Sequence, residues 1–291
     1  MKADPAFQNL PMTFWANVRS ISEKVGYTER LSKSVKVPTV AEMCGGLRSL
    51  GLSSTRIASS SGIPTEFGDQ LTGYYAFCAD VLDNYVRPNL MDVEGAAELF
   101  EELYNELEPN CPLPMNKQKG EKKTYAYFTG IVNMLIENYI DGAPCCYDPR
   151  VLTSVTRDGS PLRTLSRRVD GAFPTTVNPI AIWEIKEYYY TTTFGSRIAD
   201  GVYETLLDGM ELEELAKNES IDVKHYLMVD AYDTWWNMGR SYLCRIIDML
   251  HMNYLDEALF GREVIERLPI IVNEWITLQK VQQSQTPKLL F

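Results

Sequence analysis

Apolar residues recur three and four positions apart through the first third of the chain, and beyond about residue 160 the rhythm shortens to alternation and unbroken apolar runs. Helices are therefore expected first and a sheet afterwards. The helical spacing predicts helices over 13–24, 40–50, 64–86 and 93–107. Thr39 is placed to cap the second of these and Glu42 to complete a capping box; Gly51 ends it, and Arg87-Pro88 ends the third. The stretch 39–60 has the outline of a helix-turn-helix DNA reader, an outline that plain helical bundles share. A Pro-rich break, 108–114, is the expected domain boundary, separating a helical region (1–114) from a second domain (115–291). In that second part the pattern predicts a helix over 124–139 and two strands, 162–173 and 180–190, joined through the turn-forming residues 174–179 as a hairpin. A helix at 196–207, a buried strand at 226–232 and closing helices at 239–259 and 263–278 follow, with a polar tail from Gln279.

Composition narrows the chemistry. A net charge of -11 over 291 residues argues against non-specific coating of nucleic acid or anionic membrane. From Lys117 to Asp170, however, nine Lys or Arg face six Asp or Glu, so the chain turns locally basic. The six cysteines contain no C-x-x-C pair and are expected as reduced core thiols. With only two histidines, His225 and His251, neither accompanied by a partner motif, histidine-based hydrolases and zinc sites are excluded and both rings are expected to be structural. No stretch approaches the roughly 20 apolar residues of a spanning helix, so a cytoplasmic protein without a membrane partner is expected.

One constellation stands out. In a strand, residues two apart share a face, so Glu184 and Lys186 project together while Ile185 points into the core. A hairpin centred near Val177 pairs residues whose numbers sum to about 354, which sets Asp170 opposite Glu184. Two carboxylates so close repel unless a cation lies between them. Magnesium suits oxygen ligands and shares its shell with phosphate, and manganese can substitute. Asp170, Glu184 and the Ile185 carbonyl are the expected protein ligands, with a metal-activated water attacking phosphorus and Lys186 positioning that water or stabilising the developing charge.

Val169-Asp170, thirteen intervening residues and then Glu184-Ile185-Lys186 resembles the PD-(D/E)XK nuclease superfamily, to which most restriction endonucleases belong, with Val in place of the nominal Pro. The resemblance spans roughly residues 124–232. It implies an α/β, restriction-endonuclease-like fold, a mixed central sheet flanked by helices, here with a helical N-terminal region. It further implies a helix before the Asp strand, for which 124–139 is the match, and an additional catalytic acid on that helix, for which Glu137 is the best match. The implied activity is site-specific cleavage of double-stranded DNA by a homodimer, for which the apolar residues 268–272, Trp275 and Ile276 offer a surface, although burial within one subunit is as good an account of them. Lys117, Lys119, Lys122, Lys123, Arg167, Arg168 and Arg197 are the candidate phosphate contacts. Repair, junction or transposon-end cleavage by the same core is the nearest alternative. A carboxylate-pair glycosidase, which would need neither Lys186 nor magnesium, and a non-catalytic DNA-binding protein are the alternatives of another class. There is no G-x-x-x-x-G-K-[ST] loop and hence no nucleotide-driven motor in the chain.

Overall fold

The computed structural model describes residues 1–29, 31–32, 34–116 and 124–285. In chain order its elements are α1 (Met12–Val25), α2 (Val40–Ser49) and α3 (Glu66–Val81), which continues through a π turn (Leu82–Val86) into the short α4 (Arg87–Asn89). Then come α5 (Val93–Leu107), α6 (Tyr127–Tyr139), β1 (Cys146–Tyr147), β2 (Ser154–Arg157), β3 (Ser160–Thr164), β4 (Gly171–Phe173), β5 (Ala181–Glu187), α7 (Ser196–Glu219) and β6 (Lys224–Asp230). A second π turn (Asp233–Met238), α8 (Arg240–His251), β7 (Glu257–Phe260) and α9 (Glu263–Gln285) complete the described chain. No helix among the described residues is long and apolar enough to cross a membrane.

Two compact units share these elements. One takes residues 3–88 and 235–253, the other residues 1–2, 89–234 and the chain from Tyr254 onward. The division thus falls at residue 88 and not at the Pro-rich break, because α5 belongs with α6: Leu99, Phe100 and Leu103 share a core with Ile131 and Leu135. The chain also returns to the first unit through α8.

In that unit α2 carries the expected capping box, Thr39 Oγ1 accepting from the Glu42 N–H at 3.3 Å and Glu42 Oε2 accepting from the Thr39 N–H at 2.8 Å. Residues 53–60 form turns and an isolated bridge, Ala58 to Pro64, and no second helix begins before Glu66, so the helix-turn-helix outline over 39–60 is not realised. Its core is aromatic and polar together: Phe14, Trp15 and Tyr74 meet edge-on, and buried Asp248 accepts hydroxyl hydrogen bonds from Tyr74 at 2.6 Å and Tyr27 at 2.8 Å. His251 is structural, its ring held by the Ile247 carbonyl and the Asp4 N–H.

The other unit is mixed α/β. Its five-stranded sheet has the order β1-β4-β5-β6-β7, antiparallel through β1, β4 and β5 and parallel through β5, β6 and β7. β5 is buried on both faces, as a central strand between helix layers must be. Ala181, Trp183 and Ile185 pack into the core shared with α5, α6 and α9, whereas Ile182 joins Leu212 and Leu215 of α7 on the opposite side. The hairpin register is the expected one: Gly171 pairs Trp183 and Phe173 pairs Ala181.

Other expectations are corrected. The strand foreseen over 162–173 is two strands in two sheets, since β3 pairs with β2 in a separate ribbon and β4 begins only at Gly171. Between them Leu165 and Val169 sink into the α7-side core while Ser166 is held by Glu211 of α7. The helix foreseen over 239–259 stops at His251, and the run Glu257-Ala-Leu-Phe260 forms the parallel edge strand β7. α7 runs to Glu219, well past residue 207. The stretch offered as a dimer surface lies inside the subunit's own core: Leu268, Ile271, Val272 and Trp275 are fully buried, and only Ile270 is substantially exposed.

Gly171 is where the sheet depends on a missing side chain. A Cβ there would come within 1.9 Å of the Trp183 indole, which is itself stacked on Trp275 at 5.3 Å and 12° and has nowhere to retreat. Gly171→Ala should therefore cost about 1–3 kcal/mol in urea denaturation. Gly73→Ala, at an exposed position of α3 with open space around it, should instead gain about 0.5–1 kcal/mol. Equal effects of the two changes would contradict this account.

Candidate active site

The parallel strands end their carboxyl termini on one edge, the place where open α/β sheets hold ligands. There a cleft of about 1050 Å³ opens, with Ile185, Lys186, Glu187 and Tyr188 from the end of β5, Asp170 from the turn into β4, and Ser196, Asp200 and Glu204 from the start of α7 along its wall. The alternation of β5 turns Glu184 and Lys186 toward α7 and leaves Ile185 on the core side. Extending the hairpin register one pair beyond Gly171 and Trp183 brings Asp170 opposite Glu184. Its Oδ2 accepts the Ile185 N–H at 2.8 Å and lies 3.9 Å from Lys186 Nζ, which donates to Glu184 Oε2. Asp170, Glu184, Ile185 and Lys186 are therefore brought together as the hairpin arithmetic requires.

Charge in this group is balanced by a residue with a different role from the one expected of it. Arg167 is not a free phosphate contact: its guanidinium lies 2.9 Å from Glu184 Oε1, donates to Glu184 Oε2 at 3.0 Å and to Asp208 Oδ2 at 2.6 Å, and reaches Glu204 at 3.3 Å. Glu184 and Asp208 are wholly buried, and an unpaired ion there would cost several kcal/mol, so a guanidinium between two buried carboxylates is the arrangement that lets either ionise. Burial works to raise the Glu184 pKa, but Lys186 and Arg167 together outweigh it and hold the carboxyl below its usual range. Asp170 goes the other way, pushed up to about 6 by burial and by the Glu184 charge, although its side chain keeps a 43% exposed edge toward the cleft. Burial pushes Asp208 up to about 7 against the pull of Arg167. Lys186 loses some basicity to burial, but Glu184 and Asp170 more than restore it, leaving a firmly protonated ammonium.

The remaining candidates separate from this group. Glu137 sits at the far end of α6, where its carboxylate accepts the Asn110 N–H at 2.9 Å; the α6 face that meets the cleft carries Thr129 and Asn133. Arg168 is exposed and lines no part of the cleft. Lys117, Lys119, Lys122 and Lys123 lie outside the described residues, as does the side chain of Arg197, whose backbone is in the first turn of α7. The cleft wall at Pro112–Asn116 leads directly into that lysine-rich segment. His225 is structural, donating through Nδ1 to the Tyr254 carbonyl at 2.8 Å.

Sequence reading missed Asp208, Glu204, Asp200 and Glu187. The first three recur every four residues on one face of α7, a signal present in the chain, although the helix end expected at residue 207 leaves Asp208 out of it. Glu187, opposite in parity to Glu184, turns to the other side of the sheet and accepts the Thr129 N–H at 2.9 Å, capping the start of α6.

A divalent cation fits the donors at hand. Asp170 and Glu184 supply hard oxygens, and Glu184 Oε1 is buried without a hydrogen-bond donor, within ion-pair distance of Arg167 but out of line with its N–H groups. No group of three or more His, Cys, Asp or Glu is arranged to hold a metal among the described residues, an arrangement magnesium does not need when waters and phosphate complete its shell.

Residues 91–275 match the family described as Domain of unknown function (DUF7687), and the chain belongs to it. Residues 1–85 match a second, Domain of unknown function (DUF7690). The two matched stretches meet near residue 88, where the compact units also divide. No curated protein and no solved structure matches the chain.

The strand ends carry a pH-sensitive carboxylate apart from Asp170 and Glu184. Asp230, at the end of β6, is wholly buried, accepts the Met91 N–H at 2.8 Å and a hydrogen bond from Tyr189, and is raised by burial from 3.8 to about 7. A pKa raised on folding means that the folded state binds the extra proton. Asp230 therefore contributes fully below pH 4, and the contribution is lost as pH rises to about 7. Asp230→Asn removes this dependence, so the stability of the variant relative to the parent should climb between pH 5 and pH 8. Urea midpoints at the two values check it, and a difference independent of pH would contradict it.

Proposed function

We propose that this chain hydrolyses phosphodiester bonds of double-stranded DNA, with magnesium or manganese held by Asp170, Glu184 and the Ile185 carbonyl. The observation that carries the reading is the convergence of Asp170, Glu184 and Lys186 across the β4–β5 hairpin register, with Asp170 and Lys186 lining a large cleft and Glu184 buried behind them. The mixed sheet, with a helix before the Asp strand and a helix after the Glu strand, supports it further. The metal, when bound, supplies a Lewis acid and an acidified water.

The protein groups divide the remaining work. Lys186 is a fixed positive charge and not a base, because two carboxylates keep it protonated; it stabilises the charge that grows on the phosphoryl oxygens. Asp170 presents its exposed edge to the cleft while the Ile185 N–H fixes its orientation. Ser196 and the first turn of α7, which has no side-chain cap, offer donors to a phosphate entering the cleft. Restriction-type cleavage is the form in which a homodimer brings a second centre for the second strand, and its surface lies elsewhere than residues 268–276.

Unmethylated plasmid and phage DNA incubated with magnesium should be cut, with discrete fragments for the site-specific form and smears or nicks for repair or junction cleavage. Asp170→Ala, Glu184→Ala and Lys186→Ala should each lower the rate by at least about 100-fold. Calcium should support binding with little cleavage. Undiminished activity in excess chelator, or in the Glu184→Ala, Lys186→Ala double variant, would overturn the reading.

A further inference from the structure

Both oxygens of Glu184 face cations. Oε2 accepts from Lys186 and from Arg167 Nη2, and Oε1 lies 2.9 Å from Arg167 Nη1 without a hydrogen bond. A divalent ion can claim this carboxylate only if Arg167 gives way. The structure supplies the place for it to go: Asp208 already holds Nη1 at 2.6 Å, its second oxygen is buried with no hydrogen-bond partner, and Glu204 stands 3.3 Å from Nη2. Four carboxylates, Asp170, Glu184, Glu204 and Asp208, surround two cations, Lys186 and Arg167, so the ionised cluster carries two surplus negative charges, the complement of one divalent ion.

Resting on the metal reading above, we infer that Arg167 is a displaceable internal counter-ion that sets the affinity of the site for its divalent cation, with Asp208 as the residue that receives it. Arg167 is thus a positioning residue and not a substrate contact. It keeps buried Glu184 charged when no ion is bound, and it opposes ion entry through its charge beside that carboxylate. Asp208 acts on the ion through Arg167: loss of its charge leaves the guanidinium with Glu184 as its main partner.

The two residues therefore affect cation binding with opposite signs, which a merely structural role does not do. Manganese binding to the full chain, followed by the paramagnetic signal of the free ion and by competition with magnesium, reads this without reference to catalysis. Arg167→Gln should tighten binding about tenfold and Asp208→Asn should weaken it about tenfold. In the Arg167→Gln background, Asp208→Asn should lose most of its effect, because the residue it acts through is gone. Variants are compared where circular dichroism shows them folded. If Arg167→Gln does not fold, Asp208→Asn decides alone, and unchanged or tighter binding overturns the inference. If the parent chain binds manganese but Arg167→Gln does not tighten it, or if the two effects add, the counter-ion role falls and the metal reading stands. If the parent chain binds no manganese that magnesium displaces, both fall together.

Discussion

A strand buried on both faces that nevertheless carries Glu184 and Lys186 imposes the condition the rest of the unit answers to. Removing a carboxylate and an ammonium from water costs several kcal/mol each, and their mutual attraction repays that only when every remaining valence is met. Arg167 and Asp208 meet most of it, and both depend on chain geometry that looks incidental in isolation. The segment between β3 and β4 leaves the sheet so that Arg167 can reach inward, and α7 extends far enough to carry Asp208 beneath it. Gly201 of α7 lets the helix come down on this group: a Cβ there would meet the Tyr188 hydroxyl at 3.0 Å and the Lys186 stem at 3.4 Å.

The two-residue period of β5 divides the labour. Even-numbered positions give an apolar seat at Ile182 and then the two charges on the α7 side. Odd-numbered positions give the Trp183 stack and Ile185 to the opposite core, and end in Glu187, which caps α6. Stability and proposed chemistry thus draw on the same strand from opposite faces, and Gly171 joins them. Its absent side chain admits the Trp183 indole, and its pairing with Trp183 sets the register that brings Asp170 across from Glu184.

The share of this that sequence makes legible follows physical range. Local signals read well: the Thr39 and Glu42 cap, the α5 span, the parity of β5 and the hairpin register are all short-range consequences of residue type. Non-local choices do not. Residues 162–173 are as strand-like where the chain leaves the sheet as where it pairs, and only the pull of α7 on Ser166 and Arg167 marks the break. Glu257-Ala-Leu-Phe260 becomes a strand because β6 offers an open edge, a fact absent from the four residues themselves. Arg167 is legible as a candidate phosphate contact but not as the partner of Glu184 and Asp208 for the same reason, since these stand 17 and 41 positions away. Glu137 shows the same limit: α6 forms nearly where the spacing predicts, but Glu137 lies near its C-terminal end, bonded to the Asn110 N–H and away from Asp170.

The central claim, a divalent cation held between Asp170 and Glu184, can be tested by letting the ion mark its own position. Iron(II) substituted for magnesium and activated with ascorbate and peroxide generates short-lived radicals that cut the polypeptide beside the metal. The account predicts fragments ending near residues 170 and 184–186, with a weaker set near 200–204, all suppressed by excess magnesium and absent from Asp170→Ala. Cuts confined to other parts of the chain, or a pattern that magnesium does not suppress, would contradict it.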